Sequence, residues 1–311
     1  MNSQGKGKIW MQQFRAPFLL LAVVLVLIGV AYGVKFPAAE GFNWLYAVLM
    51  MIGVVSAHAS VNLFNEYSDF NSKIDFHTPR SPFSGGSGML TEGHTKPKSV
   101  LTAAITTLLI GLAIGIYFVV VAHPILIIFI VLGAFATVFY TNFLAKILLG
   151  EFFAGLTLGT FVVIGTYVGM TASPGMAWDS VIPLEVWLIS IPPGILTALL
   201  LLLNEFPDVQ ADKEGGRFHL VIKFGWKGAA YIYALGILAT YATIIILPIV
   251  NISSYWLFIA LLTLPVAVKA TGTAITSGDK LDLIIPAMGQ NVLVVLITDL
   301  LIAVSVFLTF I

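Results

Sequence analysis

Two short stretches gather residue types able to do chemistry. "NEYSDFNSKID", residues 65–75, sets Asn65, Glu66, Asp69 and Asp75 at the end of a long apolar segment. "NEFPDVQAD", residues 204–212, repeats the Asn-Glu-aromatic-x-Asp opening with Asn204, Glu205 and Asp208, then Asp212. On a helix, His58, Asn62, Asn65 and Asp69 fall at i, i+4, i+7 and i+11, one stripe that should face a cavity. Asn204, Asp208 and Asp212 fall at i, i+4 and i+8, although Pro207 is placed to loosen that helix. An oxygen-rich donor set without a cysteine and histidine cluster points to a hard cation, Mg²⁺ or Ca²⁺, over zinc or copper. Mg²⁺ takes one or two carboxylates together with substrate phosphate oxygens, so two facing clusters imply a diphosphate bridged by metal ions. Lys73, Arg80, Lys146, Lys213 and Arg217 are the basic residues available to neutralise it. The plainer alternative is solvated loop charge paired with nearby lysines. The repetition of one motif on two helices of the same polarity favours the functional reading.

The elements that must position these residues are membrane helices. Of 311 residues, 59% are hydrophobic and only 10% charged, with a mean hydropathy of +1.01, against roughly 25% charged in soluble chains. Fifteen basic and fifteen acidic residues balance to zero, which gives no sign of nucleic-acid binding. Without cysteine there is neither a disulfide framework nor a thiolate metal site. A bilayer core of about 30 Å needs roughly 20 apolar residues per helix. That ruler predicts an all-α bundle of nine transmembrane helices near 17–34, 43–64, 99–121, 124–142, 151–172, 185–205, 228–249, 255–275 and 286–310. His123 and Pro124 make the short turn between the third and fourth. The polar start lacks a small-residue cleavage pattern, so the first helix reads as retained.

Orientation follows from the basic residues. With the N-terminus cytoplasmic, fourteen of the fifteen lie inside and only Lys35 outside. Both long polar loops, 65–98 and 206–227, then cap the site from the cytoplasm, and the chain is a multi-pass cell-membrane protein whose active site faces inward. A spacing of four helices between the motifs suggests related halves, 1–142 and 143–275, plus a ninth helix at 286–310, within one membrane domain.

The first loop continues as "TPRSPFSGGSGML", residues 78–90, where Gly85, Gly86 and Gly88 would let backbone N–H groups approach an anion or let the loop fold over the site. His58 reads either as a substrate contact or as a hydrogen bond between helices. Lys146 reads as a diphosphate ligand or as a topology marker, and Arg15 as an interfacial anchor. Tyr140 belongs to an aromatic belt or faces a cation. Asp299, in the middle of the ninth span, must point into the bundle.

These motifs resemble the UbiA superfamily of intramembrane aromatic prenyltransferases. "NEYSDFNSKID" looks like its first Asp-rich motif, carried by Asn65, Asp69 and Asp75; "NEFPDVQAD" looks like the second, carried by Asn204, Asp208 and Asp212. "KEGGRFHLVIKFG" and "YTNFLAKILLGE" are similar to the segments after the second motif and between the fourth and fifth helices. The usual Asn-Asp opening is here Asn-Glu twice, which leaves the parts of Glu66 and Glu205 open. The resemblance implies nine helices and two Mg²⁺ ions bridged by the diphosphate of a polyprenyl donor. It also implies alkylation of an electron-rich aromatic acceptor, with no obligate protein partner. The wording of the first motif is nearest to the branch that prenylates 1,4-dihydroxy-2-naphthoate for menaquinone. Other acceptors of the superfamily are geranylgeranylglyceryl phosphate, 4-hydroxybenzoate and a tetrapyrrole; a cation-coupled transporter is the alternative of another class.

Overall fold

Eight helices are long and apolar enough to cross a bilayer in the computed structural model, which describes residues 5–37, 41–78 and 80–309. They are α2 (Ala16–Lys35), α3 (Trp44–Asn71), α4 (Pro97–Val121), α6 (Gly150–Thr171), α7 (Leu184–Asn204), α9 (Leu220–Ile249), α10 (Tyr255–Thr276) and α11 (Leu281–Leu308). No strand occurs among the described residues. The fourth expected span is the exception: α5 (Leu126–Phe139) has 14 residues, a rise of about 21 Å. It ends early because the chain turns at Tyr140 and runs irregularly to Leu149. The turn expected at His123 and Pro124 lies between α4 and α5, where His123 Nε2 bonds Met176 O at 3.1 Å. Two short helices complete the set, α1 (Lys6–Gln13) in the polar start and α8 (Val209–Glu214) in the second motif. Residues 1–4, and residue 310 where the last expected span ends, lie outside the described residues.

Leucine, isoleucine and valine supply both sides of these helices. One set is buried in a continuous core that includes Leu25, Ile28, Phe118, Ile164, Leu196 and Ile302. The other, for example Leu109, Val120, Val131, Leu238 and Leu262, points outward, the surface a lipid-facing bundle presents. α2 packs on α3, α6 and α11; α3 packs on α4; α7 packs on α6, α9 and α11.

Close approach at one crossing depends on glycine. In α6 the residues Ala154–Thr160 widen into π-type turns, and Gly155 and Gly159 lie against Gly194 of α7. A Cβ on Gly159 would stand 2.6 Å from Gly194 Cα and 2.9 Å from Pro193 O, both backbone atoms that cannot rotate away. This is the small-residue packing that membrane helices use in place of a hydrophobic driving force. Gly159→Leu is therefore expected to destabilise the bundle by about 1–3 kcal/mol, read as a lowered Tm in detergent; an unchanged Tm would mean that the two helices separate without cost.

Candidate active site

The first motif begins inside α3, which continues past the apolar run to Asn71. Asn65 and Asp69 therefore keep helical spacing. The chain then turns through Lys73, in the left-handed region at φ +65°, into a single 3₁₀ turn, Ile74–Phe76, that brings Asp75 back to the same cavity. In the second motif the helix does break beside Pro207: α7 ends at Asn204, and Asp208 stands at the N-terminus of α8. The break keeps Asn204, Asp208 and Asp212 together.

One polar cavity of about 750 Å³ is lined by Asn65, Asp69, Asp75, Asn204, Asp208 and Asp212, with Arg15 and Arg217 as its cationic side chains. Asp69 pairs with Arg217 Nη2, and Asp212 Oδ1 accepts from Arg217 Nη1 at 2.8 Å. Burial would lower the Arg217 pKa, yet the Asp69 and Asp212 charges hold it above its ordinary value. Burial first, then the Asp69 and Glu66 charges, push Asp75 up to about 7. Asp208 is held well above the usual carboxylate range by burial and by Asp212. Asn65 Oδ1 accepts from Thr141 Oγ1 at 2.6 Å. The buried oxygens Asn204 Oδ1 and Asp208 Oδ1 have no hydrogen-bond partner. Six oxygen donors around one space, two of them unpaired, fit a hard divalent cation.

Gly85 and Gly86 line this cavity as expected. Gly86 has φ +67°, and a Cβ there would lie 2.6 Å from Asp75 Oδ2, so the loop can pass over that carboxylate only as glycine. Gly88 also has positive φ, at +81°. Glu66 secures the loop: its oxygens accept from Ser87 N and Ser87 Oγ, each at 2.6 Å, and from Gln13 Nε2 at 3.0 Å. Thr95 Oγ1 completes the clasp on Gln13 Oε1 at 2.6 Å. Arg15 is more than an anchor, since it donates to Phe83 O at 3.1 Å beneath the loop.

The lysines stand elsewhere. Lys73, Lys146 and Lys213 are exposed and do not line the cavity. Arg80 is also exposed and bonds Glu92 and Thr91. His58 is buried and lines a second cavity of about 820 Å³, which shares Arg15, Asn65, Tyr140 and Asn204 with the first. Tyr140 thus stands between the two. The second cavity in turn shares Thr137, Thr157 and Leu158 with an apolar groove of about 940 Å³ between α3, α4, α5 and α6. The polar and apolar spaces adjoin through these shared walls.

Sequence reasoning left Glu205 open and missed two further neighbours of the cavity, Glu151 and His219. Glu205 and His219 line it, and Glu151 lies beside them, buried. Burial first, then Glu151, raise the Glu205 pKa well above the usual range. Glu205 stood in the quoted motif, whereas Glu151 and His219 carried no spacing signal.

A model of the UbiA prenyltransferase family matches residues 22–282. The 1,4-dihydroxy-2-naphthoate octaprenyltransferase of Bacillus subtilis is 29% identical over 272 residues, covering 86% of this chain and 83% of that protein. The protein of the same name from Escherichia coli is 24% identical over 314 residues, covering 98% and 96%. Among solved structures, a UbiA homologue from Aeropyrum pernix superposes with a TM-score of 0.73 at 17% identity, covering 95% of this chain and 98% of that one. A UbiA homologue from Archaeoglobus fulgidus bound to DMAPP and Mg²⁺ gives 0.56 at 13% identity, covering 95% and 99%.

Proposed function

Because the chain belongs to the UbiA prenyltransferase family and is a prenyltransferase, we propose that it transfers a polyprenyl group from its diphosphate to 1,4-dihydroxy-2-naphthoate. The observation that carries this reading is the succession of the carboxylate-lined cavity, the His58 cavity and the apolar groove, which share Tyr140, then Thr137 and Thr157, as walls. The acceptor rests on the names of the relatives and on the wording of the first motif.

Asn65, Asp69, Asp75, Asn204, Asp208 and Asp212 would hold Mg²⁺, two ions by the doubling of the motif. Bound there with the diphosphate, the metal would offset negative charge developing on the leaving group. Arg217 and Arg15 supply fixed positive charge on the same cavity, and the guanidinium fork suits phosphate oxygens. The apolar groove takes the isoprenoid chain and keeps water from an allylic cation, with the Tyr140 ring placed where polar and apolar spaces meet to face that cation. His58 extends the polar wall inward toward the acceptor. Lys73, Arg80, Lys146 and Lys213, outside the cavity lining, would steer the anionic donor to its mouth. The uneven distribution of basic residues supports a cytoplasmic N-terminus and mouth in a cell membrane.

The reading predicts a pH dependence with a definite sign. Ligation needs the Asp75 carboxylate ionised, so Mg²⁺-dependent donor binding should weaken as pH falls below about 7, by up to about tenfold per unit. The contribution of Asp75 to stability without metal runs the other way. Its folded pKa is raised, so that contribution is fully present below the unfolded value of about 3.9 and lost as pH rises through about 7. The experiment incubates detergent-purified protein with radiolabelled geranylgeranyl diphosphate and 1,4-dihydroxy-2-naphthoate, with Mg²⁺ or EDTA, at about pH 6 and about pH 8. Prenylated naphthoate that needs Mg²⁺ and increases with pH is expected. Donor binding that needs Mg²⁺ without product would transfer the proposal to another acceptor, and donor binding indifferent to Mg²⁺ would end it.

A further inference from the structure

Glu205 and His219 line the diphosphate cavity and Glu151 lies beside them, yet none has a part in the reaction proposed for it. Glu151 lies in the first turn of α6, Glu205 in the turn after α7, and His219 just before α9. All three are buried, and one ligand atom from each lies within 4.8 Å of the other two. Local backbone bonds hold these segments together: Phe218 N donates to Ala145 O at 2.8 Å and Leu148 N to Phe218 O at 3.1 Å. Leu220 N donates to Glu151 Oε1 at 2.8 Å, which orients that carboxylate.

An independent observation points to a ligand. His219 is 2% exposed, and neither of its ring nitrogens makes a hydrogen bond; Glu205 Oε2 is buried and unpaired as well. The acidic oxygens nearest the ring are Glu205 Oε2, 3.5 Å from Nδ1, and Asp212 Oδ2, 3.2 Å from Nε2. A buried ring that faces carboxylates at these distances without a hydrogen bond is costly unless something fills the space between them.

Chemistry selects the ligand class. Mg²⁺ prefers oxygen donors, whereas an imidazole nitrogen with carboxylates suits first-row dications such as Zn²⁺ and Mn²⁺. Two donors about 2.2 Å from one ion stand at most about 4.4 Å apart, so the three groups close on an ion with less than an ångström of movement. We propose that Glu151, Glu205 and His219 form a separate site for a dication of the Zn²⁺ and Mn²⁺ class. Such an ion ties the second motif to the first turn of α6 and the start of α9, fixing one wall of the cavity. It meets the aspartate cluster along that shared wall and through the approach of His219 to Asp212.

The test titrates Co²⁺, a coloured probe for this class, into EDTA-stripped, detergent-purified full-length protein in the presence of excess Mg²⁺, which occupies oxygen-only sites. Bound cobalt and its d–d absorption are measured. One Co²⁺ per chain that resists Mg²⁺ is expected, with affinity at least about tenfold weaker in His219→Gln and in Glu151→Gln but retained in Asp208→Asn. Glu151→Gln keeps an acceptor for Leu220 N, so it carries the test should His219→Gln fail to fold. Cobalt fully displaced by Mg²⁺, absent, or bound equally by both variants would overturn the site and leave His219 as an internal bridge between Glu205 and Asp212. The readout is metal content and colour, so it stands apart from the identity of the acceptor and from prenyl transfer itself.

Discussion

Asp208→Ala is expected to lower kcat/KM for prenyl transfer by at least about 10³-fold while leaving the bundle as stable as before. The two halves of that result have separate causes. Asp208 Oδ1 is buried without a partner, and burial with the Asp212 charge raises its pKa well above the ordinary range. Such a group costs stability until a cation arrives, so its removal relieves the fold. Loss of a ligand that positions charge against a leaving group, in contrast, costs several kcal/mol in the transition state alone. Asp69→Ala should be as inactive but slightly less stable, because Asp69 also pairs with Arg217. Steady-state kinetics with thermal melts of both variants would check this. An active Asp208→Ala enzyme would remove the second motif from the chemistry, and an inactive variant that fails to melt cooperatively would make Asp208 a structural residue.

The gross fold was legible because the bilayer imposes it. Apolar runs of spanning length marked most helices within a few residues, but α3 runs on to Asn71, past the expected end at 64, and α9 opens at Leu220, ahead of the expected start at 228, with the left-handed Gly225, at φ +68°, breaking it between the two. α5 was over-read, since hydropathy does not record that Tyr140 leaves the helix to reach the cavity. The donor set was legible for a different reason. Asn65 and Asp69 share a helix face, and the Asn204, Asp208 and Asp212 set survives a break that composition alone placed at Pro207. The choice among cations was hidden. Lys73, Arg80, Lys146, Lys213 and Arg217 looked equally suited to the diphosphate and Arg15 only to anchoring, and only packing selects Arg217, five residues past Asp212, and Arg15, held under the loop by Phe83 O. Glu66 was ambiguous for the same reason: nothing in its spacing announced Ser87 and Gln13 as partners.

Arg217→Gln should show what that selection achieves. The guanidinium bridges Asp69 and Asp212 across the two motifs, and its side chain is only 13% exposed. Without it, Asp212 and the largely buried Asp69 lose the cation that pairs them and keep only the more distant Arg15 in the cavity, a loss of about 3–5 kcal/mol where a buried pair is broken from one side. Mg²⁺ can replace the missing charge. The variant's Tm should therefore fall well below that of the wild type in EDTA and recover a large part of the difference on adding Mg²⁺, whereas the wild type shifts less. Activity follows another course, because the metal cannot also supply the fork that meets diphosphate oxygens. At saturating Mg²⁺ the variant should retain its fold yet lose about 10²-fold in kcat/KM, and Arg217→Lys should restore the Tm more fully than the rate. Equal Tm losses with and without Mg²⁺ would confine Arg217 to structure. A full recovery of rate in the lysine variant would show that the diphosphate needs only a point charge here.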